Sequence, residues 1–193
     1  MLAGGETPWA TLAGQRRSQL SADPLGRMKS EIRIAAPSEA KLVSEILNEA
    51  AGWLESRGIP LWSPEQLSVA AVSPEVQGGR FYLAWAGSVA VGTMRLTASD
   101  PAFWPEAAPG EALYLHRLAV RRGAAGGQVS SELLRWAARH AAASGARYLR
   151  LDCETFRHKL RGVYERFGFQ YHSERVVRQA VVARYQLLCT HAA

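Results

Sequence analysis

Long apolar runs are missing from this chain, since none approaches the ~18 residues that a membrane-spanning helix needs. The N-terminal segment, MLAGGETPWATLAGQRRSQL, also lacks the apolar core of a secretory signal peptide. These two absences argue against the membrane-spanning and secreted classes of protein. They predict a cytoplasmic protein with no membrane partner.

Cysteine is also scarce. Cys153 and Cys189 stand far apart in apolar contexts and form no CxxC pair. His140, His172 and His191 show no metal-ligand spacing. The pattern therefore predicts two reduced core cysteines and no metal site, rather than a disulfide framework or a zinc site.

Composition and charge are those of an ordinary globular protein with a basic surface. The chain has 193 residues, of which 48% are hydrophobic and 21% charged, and its net charge is +6. This length suits one domain with a sizeable core. A sequence pI near 9.7 suits a polyanionic partner such as coenzyme A or RNA, although it is equally compatible with plain solubility.

The chain divides into an extension and one domain. Residues 1–29 are rich in Gly, Ser, Arg and Pro and show no period, so they predict a flexible N-terminal extension. Residues 30–193 predict a single domain without internal repeats. Periodicity and turn residues predict the element order β α α β β β α β α β β, with the second helix running from Pro64 through Ala71. Strands interleaved with helices predict an α/β (α+β) layered fold.

One stretch, from Tyr114 to Phe169, carries most of the information. It reads YLHRLAV, RRGAAGGQVSSELLRWA, ARYLRLDC and LRGVYERFGF, which is a strand, a Gly-rich turn, an amphipathic helix, a strand and a helix ending in Tyr-x-x-x-Gly-Phe. This order resembles the core of the GNAT superfamily of N-acetyltransferases. The resemblance covers about residues 31–189 and implies a mixed, mostly antiparallel sheet flanked by helices. It also implies transfer of an acyl group from acetyl-CoA or another acyl-CoA to a small-molecule amine.

The resemblance places the donor site on the strand Leu113 to Val120 and the turn after it. In GNAT proteins this strand is bulged and splayed, and its backbone pairs with the pantetheine arm of the donor. The following turn and helix N-terminus bind the pyrophosphate, because helix-start N–H groups lack internal partners and attract anions. The implied donor-binding residues are Leu118, Ala119, Val120, Arg121, Arg122, Gly126, Gly127, Gln128, Val129, Ser130 and Ser131.

The Gly-rich turn departs from the family pattern, which is Arg or Gln, x, x, Gly, x, Gly or Ala. Ala125 replaces the basic or amide residue, Gln128 the middle glycine, and Ser130 the final small residue. The arginines at 121 and 122 are expected to compensate by neutralising phosphate, and the serines by donating hydroxyl hydrogen bonds. A flexible strand–helix connection without a ligand remains the alternative.

Acyl transfer to an amine needs a proton acceptor and a proton donor. The resemblance implies Tyr164 as the acid that protonates the leaving thiolate. It implies His116, on the splayed strand, as the base, because the segment resembles the arylalkylamine branch of the superfamily. Imidazole titrates near neutral pH, as such a base must. Glu111 is the second choice for the base.

The resemblance implies further contacts. Arg157, where many members carry an asparagine, heads a basic cluster and predicts either a phosphate contact or a solvated helix end. Trp53, Trp62 and Trp104 are candidates for an aromatic wall of the acceptor site, with core packing as the alternative.

Two other functions stay open. A GNAT-like transferase that takes its group from aminoacyl-tRNA or from an acyl-carrier protein would fit the altered turn and the basic pI. A GNAT-like binding or regulatory module without catalysis would also fit the altered turn. Many members of the superfamily are dimers, so a homodimer is compatible with each of these readings.

Overall fold

The computed structural model describes residues 30–126 and 128–189. The predicted extension over residues 1–29 and the predicted donor contact of Gly127 lie outside these residues. The described strands form one mixed sheet in the order β1-β2-β3-β4-β5-β7-β6. Their bounds are β1 Glu31–Ile34, β2 Phe81–Ala86, β3 Val89–Thr97, β4 Ala112–Val120, β5 Tyr148–Glu154, β6 Gln170–Val177 and β7 Ala180–Leu188.

Helices cover both faces of the sheet, which confirms the predicted layered α/β class. Their bounds are α1 Ala40–Glu55, α2 Pro64–Leu67, α3 Val69–Gln77, α4 Val129–Ala143 and α5 His158–Phe167. The helix predicted from Pro64 through Ala71 is two helices. Ser68 divides them because its backbone is extended and its Oγ accepts the Ala71 N–H at 3.2 Å, which caps α3.

The last hairpin is longer than its sequence pattern indicates. The sequence pattern predicts the first of its strands over residues 168–173, but β6 runs from Gln170 to Val177. Arg178 and Gln179 then make the turn with φ angles of 48° and 72°. Positive φ at both central residues is the geometry of a tight hairpin turn, which usually carries Asn or Gly. Neither is present here, so no turn signal marked the position.

Two apolar cores lie on opposite faces of the sheet. One is formed under α4 and α5 and includes Leu133, Leu149 and Tyr185, each with no more than 1% of its surface exposed. The other lies under α1, α2 and α3 and includes Ile46 and Leu67. Burying each such side chain contributes roughly 1.5–3 kcal/mol. Cys153 and Cys189 are buried free thiols, as predicted.

The parallel pair at the centre of the sheet opens partway along its length. Only Ala112, Leu113 and Tyr114 of β4 pair with β5, and the two strands continue beyond this point without pairing. Beyond the opening, β4 carries a bulge on its β3 side. Arg117 and Leu118 there occupy the place of one residue between the pairs Arg95–His116 and Thr93–Ala119, and Arg117 takes a φ of 49°. The splayed, bulged strand expected from the resemblance is thus present. Among the described helices, none has the length and apolarity to cross a membrane.

Candidate active site

The opening between β4 and β5 is a wedge with backbone groups along one side. Beyond Tyr114, the groups of β4 that face β5 have no ladder partner. Ala119 and Val120 pair with Thr93 and Gly92 of β3 on the other side of the strand. Because backbone polar groups require partners when buried, an extended ligand could add to β4 here as a strand.

The start of α4 lies directly after β4. A short 3-10 turn, Arg122–Ala124, leads to Gly126, whose φ of 80° favours glycine. Gln128 is the N-cap of α4 but makes no side-chain cap hydrogen bond. The first-turn N–H groups, near Val129, Ser130 and Ser131, therefore have no side-chain cap from Gln128 and lie at the positive end of the helix dipole.

Both arginines expected to neutralise phosphate contact Glu49, Arg121 through its guanidinium and Arg122 through its backbone N–H. The Arg121 guanidinium donates to the Glu49 carboxylate at 2.7 Å and to the Ala90 carbonyl at 3.0 Å. The backbone N–H of Arg122 donates to the other Glu49 oxygen at 2.6 Å. This backbone hydrogen bond, followed by the hydrogen bond from Arg121, lowers the pKa of Glu49. A phosphate binding at this turn would have to displace the Glu49 carboxylate.

Arg157 connects the helix α5 to the segment between α1 and α2. Its side chain is only 8% exposed and pairs with Glu154 at 2.5 Å. It also donates to the Pro60 carbonyl at 2.6 Å. The phosphate contact predicted for Arg157 stays a prediction, and it would require these bonds to break.

Three titratable side chains meet at the mouth of the wedge: Asp100 from the β3–β4 loop, His116 from β4 and Asp152 from β5. Their ligand atoms all lie within 4.8 Å of one another. The Nε2 atom of His116 is 3.2 Å from the Thr97 hydroxyl and 3.8 Å from the Asp100 carboxylate. The side chains of His116 and Asp100 are 16% and 10% exposed.

Burial controls the protonation of this group. Burial, and then the charges of Arg95 and Arg117, lowers the pKa of His116 to about 3, so its imidazole is neutral at pH 7. Burial, and then the like charge of Asp100, raises the pKa of Asp152 to about 7. Burial also raises the pKa of Asp100. The two guanidinium charges disfavour a metal ion beside the imidazole. The predicted absence of a metal stays a prediction.

Asp100 reaches this position because its loop is anchored to the sheet. Trp104, four residues further on, is 2% exposed. The guanidinium carbons of Arg150 and Arg184 each lie 4.6 Å from the centroid of its ring. Arg184 also donates to the Phe103 carbonyl at 2.9 Å.

The predicted second choice for the base, Glu111, is already engaged. It pairs with Arg150 at 2.9 Å. The hydrogen bond from Arg150 lowers the pKa of Glu111, which makes this carboxylate a weak proton acceptor.

Tyr164 lies on α5 beneath the wedge and is 7% exposed. Gly168 ends the helix with a φ of 116°, and the Phe169 N–H donates to the Tyr164 carbonyl at 3.0 Å. Phe169 thereby packs its ring 5.9 Å from that of Tyr164. Among the described residues, the Tyr164 hydroxyl makes no hydrogen bond. Burial, followed by the charges of Cys153 and Asp152, raises the pKa of Tyr164, so this hydroxyl stays protonated.

The three candidate tryptophans lie at separate places, so they form no common wall. Trp104 is the buried residue that anchors the β3–β4 loop to the sheet. The exposed guanidiniums of Arg57 and Arg122 lie against Trp53, at 4.1 and 3.8 Å from the ring centroid. Only Trp62 lines a described cavity, of about 400 Å³, whose walls include Asn48, Glu55, Pro60, Trp62, Pro64 and Leu67.

This cavity borders the bulge of β4. Arg117, at the bulge, donates to the Gln66 carbonyl at 3.1 Å. Its guanidinium carbon lies 6.0 Å from the Trp62 ring centroid. Arg117, the residue after His116 in the chain, thereby connects the bulge of β4 to the segment that lines the cavity.

Sequence reasoning did not single out Asp100 or Asp152 as candidate site residues. A signal existed for Asp152, because it is the one aspartate in the apolar strand that pairs with the splayed strand. Asp100 stands in a Pro-rich loop, and nothing local indicates that the loop folds back over the sheet.

Comparison with known proteins agrees with this geometry. The model of the acetyltransferase (GNAT) family matches residues 47–169. The uncharacterised N-acetyltransferase YesJ of Bacillus subtilis (strain 168) is 28% identical over 143 residues, which cover 71% of this chain and 79% of YesJ.

Solved structures share the fold. A GNAT-family acetyltransferase from Listeria monocytogenes 4b F2365 has a TM-score of 0.71 and 23% identity, over 82% of this chain and 94% of that one. The PaiA N-acetyltransferase of Thermoplasma acidophilum, solved in complex with coenzyme A, has a TM-score of 0.65 and 17% identity, over 83% and 100%. The yncA protein of Salmonella typhimurium, solved with its cofactor acetyl-CoA, has a TM-score of 0.64 and 14% identity, over 85% and 96%. Because the family model covers well over half of the chain, this protein belongs to the GNAT family of acetyltransferases.

Proposed function

We propose that this protein is an N-acyltransferase that moves an acetyl or other acyl group from acyl-CoA to a small-molecule amine. The observation that carries the proposal is the wedge between β4 and β5. Pairing stops at Tyr114, and Asp152, His116 and Tyr164 lie around the opening. A donor that pairs with β4 as an added strand would bring its thioester to these side chains.

The donor would be held at two places. Its pantetheine arm pairs with the unpartnered backbone of β4 near Leu118, where an N–H would stabilise the oxyanion that develops on the thioester carbonyl. Its pyrophosphate binds the first-turn N–H groups of α4, and Arg122 supplies positive charge from the exposed end of its side chain. The Glu49 carboxylate leaves the Arg122 N–H as the anion arrives.

The reaction is direct attack in a ternary complex. The amine nitrogen forms a bond to the thioester carbon, the carbon–sulfur bond breaks, and Tyr164 donates a proton to the departing thiolate. The raised pKa of Tyr164 keeps it protonated at neutral pH, as this role requires. His116, which the resemblance implies as the base, lies at the wedge beside Asp100 and Asp152.

The acceptor would enter through the cavity beside the bulge. Its walls combine apolar side chains with the Trp62 ring and the Glu55 carboxylate. A carboxylate and an indole ring together attract a positively charged amine. The cavity of about 400 Å³ suits a small molecule.

A tRNA donor is the second candidate, favoured by one observation. Arg57 and Arg122 are exposed, and both lie against the Trp53 ring beside the pyrophosphate turn. An aromatic ring with two guanidiniums is a surface on which bases and phosphates bind. Binding of this kind weakens steeply as salt increases.

Ligand binding and one substitution test the proposal. Acetyl-CoA, free CoA and bulk tRNA are each titrated against the protein by calorimetry at two salt concentrations. Acetyl-CoA is expected to bind with micromolar affinity, and absence of binding at millimolar concentration would refute an acyl-CoA donor. Salt-sensitive binding of tRNA alone would support the second candidate.

Tyr164→Phe is expected to lower the rate of thiol release from acetyl-CoA by about 10²–10⁴-fold, the range for a general acid. Affinity for acetyl-CoA should change little, because the lost hydroxyl has no hydrogen-bond partner among the described residues. Tyr171→Phe, at an exposed tyrosine, is the matched control and should keep full activity. Unchanged activity in Tyr164→Phe would exclude Tyr164 as the acid. Acetyl-CoA binding without any transfer to amines would favour a binding module.

A further inference from the structure

Asp152 has the position of a reacting group rather than of a structural one. It lies on β5 beyond the point where β4 separates, so its β4 side borders the wedge while its other side pairs with β7. It is partly buried, and among the described residues its carboxylate accepts no hydrogen bond and pairs with no cation. Burying a carboxylate without a hydrogen-bond or ion-pair partner costs folding free energy, and no structural contact of Asp152 offsets this cost.

We propose that Asp152 accepts the proton of the attacking amine, and that Asp100 keeps the two carboxylates from ionising together. This inference rests on the proposed acyl transfer and names the base within the same site. His116 is then the neutral neighbour that lines the site, and it is not the final proton acceptor.

The groups around Asp152 all favour one shared proton. Asp100 faces it from the β3–β4 loop, and the Oδ2 atom of Asp100 is buried without a hydrogen-bond partner. Two like charges this close oppose each other's ionisation. His116 faces it from β4 as a neutral imidazole, and Tyr164 faces it from α5 as a neutral phenol. None of these three neighbours supplies a positive charge.

Positive side chains nearby are engaged elsewhere. Arg184 lies across the ladder from Asp152 on β7, but its guanidinium pairs with Glu106 and with Ser173. Arg95 pairs with Glu75 at 3.2 Å. Arg117 points toward α2 and donates to a backbone carbonyl there. The pair of carboxylates is therefore left to hold a proton, with the pKa of Asp152 at about 7.

The proton transfers balance without another reactant. The neutral amine attacks the thioester carbon, and its nitrogen, now positive, gives a proton to the Asp152 carboxylate. The carbon–sulfur bond breaks, and the thiolate takes the proton of Tyr164. The proton on Asp152 then returns to the Tyr164 phenolate. The products are the amide and free CoA, and both side chains are restored.

The chain offers an unusually direct test, because it contains only three aspartates: Asp23, Asp100 and Asp152. Protein labelled with ¹³C at the aspartate carboxyls gives three signals, which single Asp→Asn variants assign. We expect one of the two clustered signals to titrate near pH 7. In Asp100→Asn, the midpoint of Asp152 should fall by about one pH unit or more, because the neighbouring charge is gone.

Activity supplies the second readout. Thiol release from acetyl-CoA is followed with tyramine and with putrescine as acceptor probes. Asp152→Asn should lower kcat by about 10²–10⁴-fold while the Kd for acetyl-CoA is unchanged. In Asp100→Asn, the acidic limb of the rate–pH profile should move to lower pH together with the Asp152 signal. With a base at His116, the acidic limb would follow the imidazole titration and not the Asp152 signal.

Several results would overturn the proposal. Both clustered aspartates titrating below pH 5, or full activity in Asp152→Asn, would do so. Stoichiometric Zn²⁺ that abolishes both titrations would assign the cluster to a metal ion instead. If acetyl-CoA fails to bind, the acyl-transfer function itself is wrong. If it binds but neither amine is acetylated, the carboxyl titrations test the proposal. A midpoint near pH 7 that falls in Asp100→Asn supports the proposal, and midpoints below pH 5 overturn it.

Discussion

Helix α4 packs closely on the sheet at Gly92, and this contact gives a specific stability prediction. A Cβ added at Gly92 would lie 3.0 Å from Leu133 Cδ1, 3.1 Å from Val129 Cγ1 and 3.2 Å from the Ala119 carbonyl oxygen. Leu133 has no exposed surface, so its side chain has little room to turn away. The added methyl group must therefore push α4 away from β3.

The size of the effect follows from two opposing terms. Overpacking a core costs about 1–3 kcal/mol, and replacing a strand glycine by alanine recovers about 0.5–1 kcal/mol of backbone entropy. Gly92→Ala should therefore lower the free energy of unfolding by about 1 kcal/mol, which is roughly 2–4 °C in Tm for a protein of this size.

Gly52→Ala is the matched control, because it makes the same substitution where space is open. Gly52 is exposed on α1, and nothing lies within 4 Å of its added Cβ. In a helix interior, alanine stabilises by roughly 0.5–1 kcal/mol relative to glycine. Urea and thermal unfolding of both variants should therefore show changes of opposite sign. Equal stabilisation by both substitutions would refute the close packing of α4 on β3.

Two further predictions concern an ion pair and the loop anchor. Glu39 accepts two hydrogen bonds from Arg33, at 2.7 and 2.8 Å, and this contact lowers the pKa of Glu39 below its usual 4.5. A depressed carboxyl pKa contributes stability that is present above about pH 4.5 and is lost as pH falls. Glu39→Gln should therefore flatten the decline of Tm between pH 5 and pH 3. An unchanged slope would contradict this prediction. Trp104→Ala removes a buried ring that two guanidiniums contact, and it should cost about 3–5 kcal/mol of unfolding free energy in urea. Trp53→Ala, at a ring that contacts exposed arginines, should cost about 1 kcal/mol or less, and equal losses would show that Trp104 is no anchor.

Much of the fold could be predicted because its signals are local. The helical spacing of α4 and the Tyr-x-x-x-Gly-Phe ending of α5 are read along the chain. Gly168 takes the left-handed conformation that such an ending needs. The division of the second predicted helix at Ser68 was missed, since a serine in a helical pattern is compatible with either the interior or a cap. The turn at Arg178 and Gln179 was not predicted, because neither residue is the glycine or asparagine that usually marks such a turn.

The candidate site was predictable only in part. Tyr164 and His116 lie at the wedge, as the motif and the strand position indicated. The predicted wall of three tryptophans did not form, because each ring found a different environment. Arg157 and Arg121, expected to face phosphate, pair with carboxylates from neighbouring elements.

The order of the elements, the layered class and the family motif could be predicted from the chain, since periodicity, turn residues and caps act over a few residues. The pKa values of the site residues depend on contacts that form only in the tertiary structure. Asp100, His116 and Asp152 come from three segments separated in the chain, and they meet only because Trp104 anchors the β3–β4 loop to the sheet. Burial and like charge then raise one carboxyl pKa and lower the imidazole pKa. Such effects depend on distances between groups that sequence does not contain.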